Sequence, residues 1–168
     1  MIRKAVAADH AGIQALYRAV AAVPGGIART PEEVTDAYVA GFMDKARHDG
    51  VEFVAEAQGA IIGEIHASRV GIASLSALLT DLTIAVSPAA QGQGVGRALF
   101  EALLAEVRDH MPHITRVELF ARTSNGRARA LYESLGFVEE GRLRARVFDA
   151  HGALETDTIM GWLRPSGA

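Results

Sequence analysis

The sequence predicts an α/β domain whose helices and strands follow the order β-α-α-β-β-β-α-β-α-β-β. Stretches of alternating apolar residues, typical of strands, are interleaved with stretches in which apolar residues recur every three or four positions, typical of helices. The chain has 168 residues, of which 49% are hydrophobic. That length and composition suit one hydrophobic core, so we expect residues 1–168 to form a single domain.

The first predicted elements are a short strand over residues 2–6 and a helix that Asp9 caps. The apolar positions of this helix share one face: Ile13, Leu16, Tyr17 and Val20. Residues 23–26, Val-Pro-Gly-Gly, end the helix. Residues 30–33, Thr-Pro-Glu-Glu, form a capping box with proline at the first helical position, which predicts the start of a second helix.

A predicted hairpin and a further strand follow. Residues 51–57 and 60–70 predict two strands joined by a Gln-Gly turn, and residues 80–86 predict the next strand. A helix is expected directly after the glycine-rich residues 91–96, because its apolar residues fall on one stripe.

The remaining chain alternates between strand and helix again. Residues 116–121 predict a strand, and residues 125–135 predict a helix. Gly-Phe then leads into a strand that we expect to end at Gly141. A last strand is expected near residues 156–163.

Composition excludes several classes of protein. With no cysteine, the chain has no disulfide framework, thiolate metal site or cysteine nucleophile, in agreement with a cytoplasmic protein. Its six histidines show no metal-ligand spacing, so we expect no metal. A formal net charge of −3 argues against nucleic-acid binding, and no apolar run is long enough to span a membrane. The sequence leaves open whether the chain forms a homodimer.

A glycine-rich loop links the strand at residues 80–86 to the next helix. Gly92, Gly94 and Gly96 lack a β-carbon, so the loop backbone can approach a ligand closely and turn its N–H groups towards it. The helix N-terminus adds partial positive charge, which predicts an anion site that suits a pyrophosphate. The spacing lacks the last glycine of a dinucleotide fingerprint, and the lysine of a nucleoside-triphosphate loop is absent.

Two blocks of the sequence resemble the GNAT superfamily of acyl-CoA-dependent N-acetyltransferases. Residues 91–96, Gln-Gly-Gln-Gly-Val-Gly, resemble its Gln/Arg-x-x-Gly-x-Gly/Ala signature. Residues 125–137, Asn-Gly-Arg-Ala-Arg-Ala-Leu-Tyr-Glu-Ser-Leu-Gly-Phe, resemble its Asn-x-x-Ala-x-x-Leu-Tyr-x-x-x-Gly-Phe block. The two blocks occur in the family's order. The resemblance implies a mixed, twisted sheet between helices, whose fourth and fifth strands splay apart to admit the cofactor.

The resemblance implies acetyl-CoA as the acyl donor. The pyrophosphate would lie on the backbone N–H groups of the loop, and the pantetheine arm would pair with the preceding strand, with the amide of Val86 as oxyanion donor. The implied cofactor-binding residues are Ile84, Ala85, Val86, Gln91, Gly92, Gln93, Gly94, Val95, Gly96, Arg97, Ala98 and Asn125. Gln91 stands where many family members carry arginine. This draws attention to nearby arginines as phosphate partners: Arg97, Arg127 and Arg129.

The resemblance also implies two catalytic roles. Tyr132 matches the family's general acid, which would protonate the departing CoA thiolate. Asp81 lies on the strand leading to the loop, where the family commonly has a carboxylate that takes the proton of the amine directly or through water. Glu64, Glu118 and water compete for the role of base, and His66 is the one histidine that we retain as a candidate active-site group.

The expected activity is therefore transfer of an acetyl group from acetyl-CoA to a primary amine of a small molecule or amino acid. Two alternatives stand beside it: a protein acetyltransferase that acts on an N-terminus or a lysine, and a binding module that holds acyl-CoA without turnover. A tyrosine with a nearby carboxylate favours an enzyme. We expect acceptor specificity to depend on residues 23–30 and 142–155.

Overall fold

A computed structural model of the protein describes residues 1–165. The strands are Ile2–Lys4 (β1), Gly50–Ala57 (β2), Ala60–Ser68 (β3), Leu78–Val86 (β4), Arg116–Arg122 (β5), Val138–Phe148 (β6) and Leu154–Leu163 (β7). The helices are His10–Ala21 (α1), Asp36–Asp49 (α2), Val95–His110 (α3) and Gly126–Ser134 (α4). The predicted order of helices and strands is confirmed. The predicted domain also includes residues 166–168, which lie outside the described residues.

The strands form a mixed sheet in the order β1-β2-β3-β4-β5-β7-β6, with helices on both faces. On one face α1 and α2 pack around Tyr17 and Met43, against Val54 of β2. On the other face α3 and α4 enclose a larger cluster that includes Phe100 and Phe137. The sheet is thus the middle of three layers. Within residues 1–165, no helix is long and apolar enough to cross a membrane.

β4 and β5 separate soon after they pair. They run parallel, and the pairing is limited to Leu78 with Arg116 and Leu79 with Val117. From residue 80 onward, within the described chain, β4 pairs only with β3. The predicted splay is therefore confirmed, and one edge of β4 is left open next to a gap.

β4 carries a bulge at Asp81. His66 of β3 pairs with Thr83, whereas Ser68 pairs with Thr80, so β4 contains one extra residue at this point. Asp81 has a φ of +52°, in the left-handed region that aspartate tolerates better than most residues. The bulge removes Asp81 from the regular alternation of side chains along the strand.

The predicted start of the second helix is wrong by five residues. The capping box at residues 30–33 forms, but it closes only a short 3₁₀ turn, Pro31–Glu33. α2 begins at Asp36 and is capped by Thr35, whose Oγ1 accepts a hydrogen bond from the backbone N–H of Tyr38 at 3.1 Å. Two capping signals occur in succession, and the later one begins the α-helix.

Asp9 does not cap α1 as predicted. Its carboxylate accepts hydrogen bonds from the backbone N–H of Val6 at 2.8 Å and from the Arg3 guanidinium at 2.7 Å. The hydrogen bond with Arg3 lowers the pKa of the Asp9 carboxyl. The carboxylate is thus turned back towards β1 and away from the helix.

β6 extends to Phe148, beyond the predicted end at Gly141. It is the edge strand of the sheet, and most of its side chains are exposed. The period-2 pattern of a strand continues past Gly141, so the predicted end is too early: Leu143, Ala145 and Val147 alternate with three arginines. These arginines are Arg142, Arg144 and Arg146.

Candidate active site

The loop between β4 and α3 presents backbone N–H groups to an open cavity. Gly92 and Gly94 have φ values of +79° and +82°, which glycine adopts without a steric penalty. Within residues 1–165, no acceptor makes a hydrogen bond of normal length and angle with the backbone N–H groups of residues 92–97. The amide of Ala98 is the next along the chain, and it donates to Gly94 O at 3.0 Å. Unpaired N–H groups at a helix N-terminus are what an anion site requires.

The two glutamines of the loop brace its backbone. Gln91 Nε2 donates to Val86 O at 3.4 Å, and Gln93 Nε2 donates to Ala89 O at 2.9 Å. Gln91 therefore ties the loop to the end of β4, and Gln93 ties it to the 3₁₀ turn Pro88–Ala90.

The three arginines near the loop differ in their partners. Arg97 donates to Ser134 Oγ at 2.7 Å, which links the start of α3 to α4. Arg129 is paired with Glu139 at 2.7 Å and does not line the cavity over the loop. Arg127 does line this cavity, so it is the better placed of the two α4 arginines to meet a phosphate.

Two backbone amides at the open edge of β4 point into the gap between β4 and β5. Ser87 donates its backbone N–H to Ile62 O of β3 at 2.9 Å. Because successive N–H groups of a strand point to opposite edges, the N–H groups of Ile84 and Val86 point away from β3, into the gap between β4 and β5. Both residues also line the cavity over the loop, whereas the side chain of Ala85 is buried beneath α1 and α2.

Two cavities meet at this gap. The loop cavity, of about 670 Å³, lies over residues 90–97 and reaches α4. The side cavity, of about 900 Å³, is enclosed by residues 25–29, α2, β5 and the β6–β7 hairpin. Six residues line both cavities: Gly25, Gly26, Ile84, Arg122, Asn125 and Tyr132. A molecule bound in one cavity therefore meets a molecule bound in the other at these six residues.

α4 brings the predicted residues Asn125 and Tyr132 to the junction of the two cavities. Asn125 Oδ1 caps α4 by accepting a hydrogen bond from the Ala128 N–H at 3.1 Å. The Tyr132 ring packs against Phe100 and Phe137, and the residue is 8% exposed. Burial raises the pKa of the Tyr132 phenol to about 12, so the hydroxyl keeps its proton at neutral pH.

Of the carboxylates considered as a base, Asp81 lies on the wall of the side cavity. Its side chain is 61% exposed, and Oδ2 is 2.6 Å from Nζ of Lys45 on α2. Glu118 pairs with Arg116 at 3.1 Å and lines neither cavity. Of these candidates, Asp81 is therefore in direct contact with the space where an acceptor would lie, a space that Glu33 and Asp157 also line.

Glu64 belongs to a buried polar cluster behind the side cavity. It accepts a hydrogen bond from the Tyr17 hydroxyl, and one of its oxygens is 3.0 Å from Nδ1 of His66. His66 itself lines the side cavity, and the Phe42 ring stacks on its imidazole. Sequence analysis missed Tyr17 and Phe42 as site residues because their helical spacing also suits core residues.

The side cavity contains further charged groups that sequence analysis did not single out. Arg146 of β6 lies 4.1 Å from the centre of the Phe120 ring and pairs with Asp157 at 2.5 Å. Arg29 lies 3.8 Å from the centre of the Tyr38 ring. Arg29 and Arg146 come from the two segments that we expected to influence specificity, although no sequence pattern singled out either residue.

Comparison with known proteins identifies the kind of domain. A family model described as an acetyltransferase (GNAT) domain matches residues 48–139, more than half of the chain. The ribosomal protein bS18-alanine N-acetyltransferase of Escherichia coli K12 is 41% identical over 81 residues, which are 48% of this chain and 53% of that protein. Mycothiol acetyltransferase of Beutenbergia cavernae is 48% identical over 55 residues, 33% of this chain and 18% of that protein.

Among solved structures, a phosphinothricin acetyltransferase (Pat) of Sinorhizobium meliloti in complex with AcCoA superposes with a TM-score of 0.83. It is 28% identical, and the match covers 99% of this chain and 88% of that one. The curated relatives are matched over a smaller part. The chain spans about half the length of the E. coli relative and less than a fifth of the B. cavernae relative.

Proposed function

Because this chain belongs to the GNAT family of acetyltransferases, as its two sequence blocks predicted, we propose that it transfers an acetyl group from acetyl-CoA to the primary amine of a small molecule or amino acid. The observation that carries this proposal is the meeting of two cavities at Tyr132. Acyl transfer requires a donor and an acceptor held at one point, and the loop cavity and the side cavity open on the same residue.

We place acetyl-CoA in the loop cavity. Its pyrophosphate would accept hydrogen bonds from the unpaired N–H groups of residues 92–97, with Arg127 beside them. Its pantetheine arm would lie in the gap between β4 and β5, where the N–H groups of Ile84 and Val86 have no strand partner in the described part of the chain. The solved structure of the S. meliloti relative contains AcCoA, which supports this donor.

The acceptor amine would approach from the side cavity. Its nitrogen attacks the thioester carbonyl carbon, a C–N bond forms, and the developing oxyanion accepts a hydrogen bond from the Val86 N–H. When the C–S bond breaks, the sulfur would take a proton from the Tyr132 hydroxyl, and the Tyr132 oxygen would regain a proton from the nitrogen of the new amide, directly or through water. Asp81, on the wall of the side cavity, takes the proton of the acceptor's ammonium directly or through water.

The shape of the side cavity favours a small acceptor. Its volume of about 900 Å³ lies in the range of about 300–1,000 Å³ that is common for small-molecule sites. Residues 25–29 and the β6–β7 hairpin enclose it on two sides. A protein N-terminus is the second candidate acceptor, because the E. coli relative is a ribosomal protein alanine N-acetyltransferase. An acyl-CoA-binding module without turnover is the third candidate function.

A CoA-release assay separates these candidates. The protein is incubated with acetyl-CoA and, in separate reactions, with free amino acids, small primary amines, or peptides that carry an N-terminal alanine or an internal lysine. We expect the highest kcat/KM with a small amine. A peptide that reacts faster assigns the protein acetyltransferase. If the protein binds acetyl-CoA but no acceptor raises CoA release above the rate of hydrolysis, the protein is assigned as a binding module.

A further inference from the structure

The buried cluster behind the side cavity contains ionisable groups in an unusual place. Glu64 is fully buried, and His66 is 4% exposed. Burying such groups costs free energy unless each is hydrogen-bonded. The cluster touches the side cavity only through His66, which makes that residue its point of contact with an acceptor.

The hydrogen bonds of Glu64 define which nitrogen of His66 carries a proton. The Tyr17 hydroxyl donates to Glu64 Oε2 at 2.5 Å, and His66 Nδ1 is 3.0 Å from Glu64 Oε1. We assign Nδ1 as the donor and Glu64 as the acceptor in this contact, because a carboxylate only accepts hydrogen bonds. In the neutral imidazole, Nε2 then carries a free lone pair.

The position of the imidazole ring is set by its neighbours. The Phe42 ring stacks on the imidazole with centres 4.1 Å apart and planes 8° apart. Thr83 of β4 is the cross-strand neighbour of His66, and both line the side cavity. Within residues 1–165, Nε2 makes no hydrogen bond. Its lone pair is therefore available to a molecule in the side cavity.

The other titratable groups around His66 are poor proton acceptors near neutral pH. Burial is the main cause that raises the pKa of the Tyr17 phenol on α1 and of the Tyr38 phenol on α2, so both stay protonated. Burial and the nearby Glu64 carboxylate raise the pKa of Glu52 on β2 to about 8, so this carboxyl is neutral.

The side cavity that His66 faces is also lined by Arg29, Glu33, Arg122, Arg146 and Asp157, and by two exposed charges on α2 and β4. Lys45 on α2 and Asp81 on β4 both line the side cavity and are paired with each other. Asp81 is therefore engaged with a cation at the mouth of the cavity, whereas the imidazole meets the cavity with an unshared lone pair.

We propose that His66, oriented by Glu64, is a second proton acceptor for the amine, in addition to Asp81; this inference rests on the proposed function. In this second route Nε2, in place of Asp81, takes the proton of the acceptor's ammonium, which leaves a neutral amine and an imidazolium. The Glu64 carboxylate stabilises that imidazolium through Nδ1. The proton passes to solvent after the acetylated product leaves, so His66 returns to its neutral form.

The kinetic test compares His66→Gln with two other variants. Glutamine can still donate to Glu64 from its amide but cannot accept a proton from an ammonium. Asp81→Asn removes the first acceptor, and His48→Gln changes an exposed histidine of α2 as a matched control. The measurement is kcat/KM from pH 5 to pH 10, with the amine that the wild type acetylates fastest in the CoA-release assay.

We expect His66→Gln to be slower than wild type by about 10²-fold or more at pH 7 and to recover towards pH 10, where the amine is already neutral. Asp81→Asn should also recover towards pH 10, so the two deficits at pH 7 compare the two acceptors. His48→Gln should keep the wild-type rate and pH profile. A His66→Gln variant with the wild-type rate and pH profile contradicts the inference. A wild type that acetylates none of the amines overturns the proposed function itself.

A second measurement does not depend on turnover. Nitrogen NMR of the histidine rings, with His66→Gln used to assign the His66 signals, reports which ring nitrogen carries the proton. We expect the Nδ1–H form for His66 in the free protein and with acetyl-CoA bound. An Nε2–H form overturns the inference, because the nitrogen that faces the cavity would then be a donor.

Discussion

Tyr132 is the residue on which the proposed chemistry depends most. Tyr132→Phe keeps the ring packed against Phe100 and Phe137 and removes only the hydroxyl. We expect kcat to fall by about 10²- to 10⁴-fold, the range that general acid–base groups supply, with acetyl-CoA affinity little changed. Steady-state kinetics and calorimetric titration measure the two quantities. Turnover within about twofold of wild type would limit Tyr132 to a packing role.

The role of Asp81 should be visible in the pH dependence of kcat/KM. Asp81→Asn keeps the shape of the side chain but removes the charge that pairs with Lys45. If the carboxylate takes the proton of an amine with a pKa near ~10, activity lost at pH 7 should recover as the pH rises towards that value, because the amine then arrives neutral. The measurement is the ratio of variant to wild-type kcat/KM from pH 7 to pH 10. A constant deficit would mean that Asp81 positions the acceptor without taking its proton.

At the scale of single residues, sequence predicted the groups that belong to motifs. Tyr132 and Asn125 are part of a block with defined spacing, and both line the junction of the cavities. The Glu64–His66 pair has no such spacing. On one strand, residues two positions apart share a face, but the pattern does not show whether that face meets solvent, a core or a cavity. The bulge that places Asp81 likewise depends on how β3 and β4 pair, which one strand alone does not determine.

The proposed role of the glycine loop, binding the pyrophosphate of acetyl-CoA, depends on its backbone conformation. Gly94 has a φ of +82°, and a β-carbon added there would meet no atom within 4 Å. Gly94→Val should therefore weaken acetyl-CoA binding by at least about tenfold, through backbone strain and the loss of close approach to the pyrophosphate. Isothermal calorimetry measures the affinity.

A matched control for that substitution exists in the β2–β3 hairpin. Gly59 has a φ of +78°, also with no atom within 4 Å of an added β-carbon, and it lines neither cavity. Gly59→Val introduces similar strain away from the loop, so it should lower the melting temperature without changing acetyl-CoA affinity. Equal affinity for Gly94→Val and wild type would contradict the phosphate cradle.

Elements with strong local signals were predicted well. The hairpin turn and the helix after the glycine loop agree with the structure, and so does the splay of β4 from β5, which the family resemblance implied. The errors occur where two local signals compete or where tertiary contacts decide. Asp9 satisfies a capping pattern, but Arg3 captures its carboxylate, and this contact depends on how β1 lies beside α1.

The stability of the whole molecule should depend on pH through the ionisation of Glu52. Its pKa of about 8 exceeds the ordinary value of about 4.3 for a glutamate, so the folded state binds this proton more tightly than the unfolded chain does. Stability from this group is complete below about pH 4.3 and is lost as the pH rises to about 8.

Glu52→Gln removes that pH dependence and keeps a neutral side chain. We expect its melting temperature to exceed that of wild type by a few degrees at pH 8.5, and the difference to shrink as the pH falls towards 5. The comparison of the two proteins at each pH isolates Glu52 from other titrating groups. A difference that does not change with pH would mean that Glu52 is ionised in the folded protein.

The arrangement of the whole molecule places a donor and an acceptor on two sides of one gap in the sheet. A crystal structure with acetyl-CoA bound tests this most directly. We expect the pyrophosphate on the N–H groups of residues 92–97 and the thioester carbonyl oxygen within hydrogen-bond distance of the Val86 N–H. The sulfur should lie near the Tyr132 hydroxyl, with the acetyl group facing the side cavity. Acetyl-CoA bound elsewhere, or with its thioester remote from Tyr132, would contradict the proposed site.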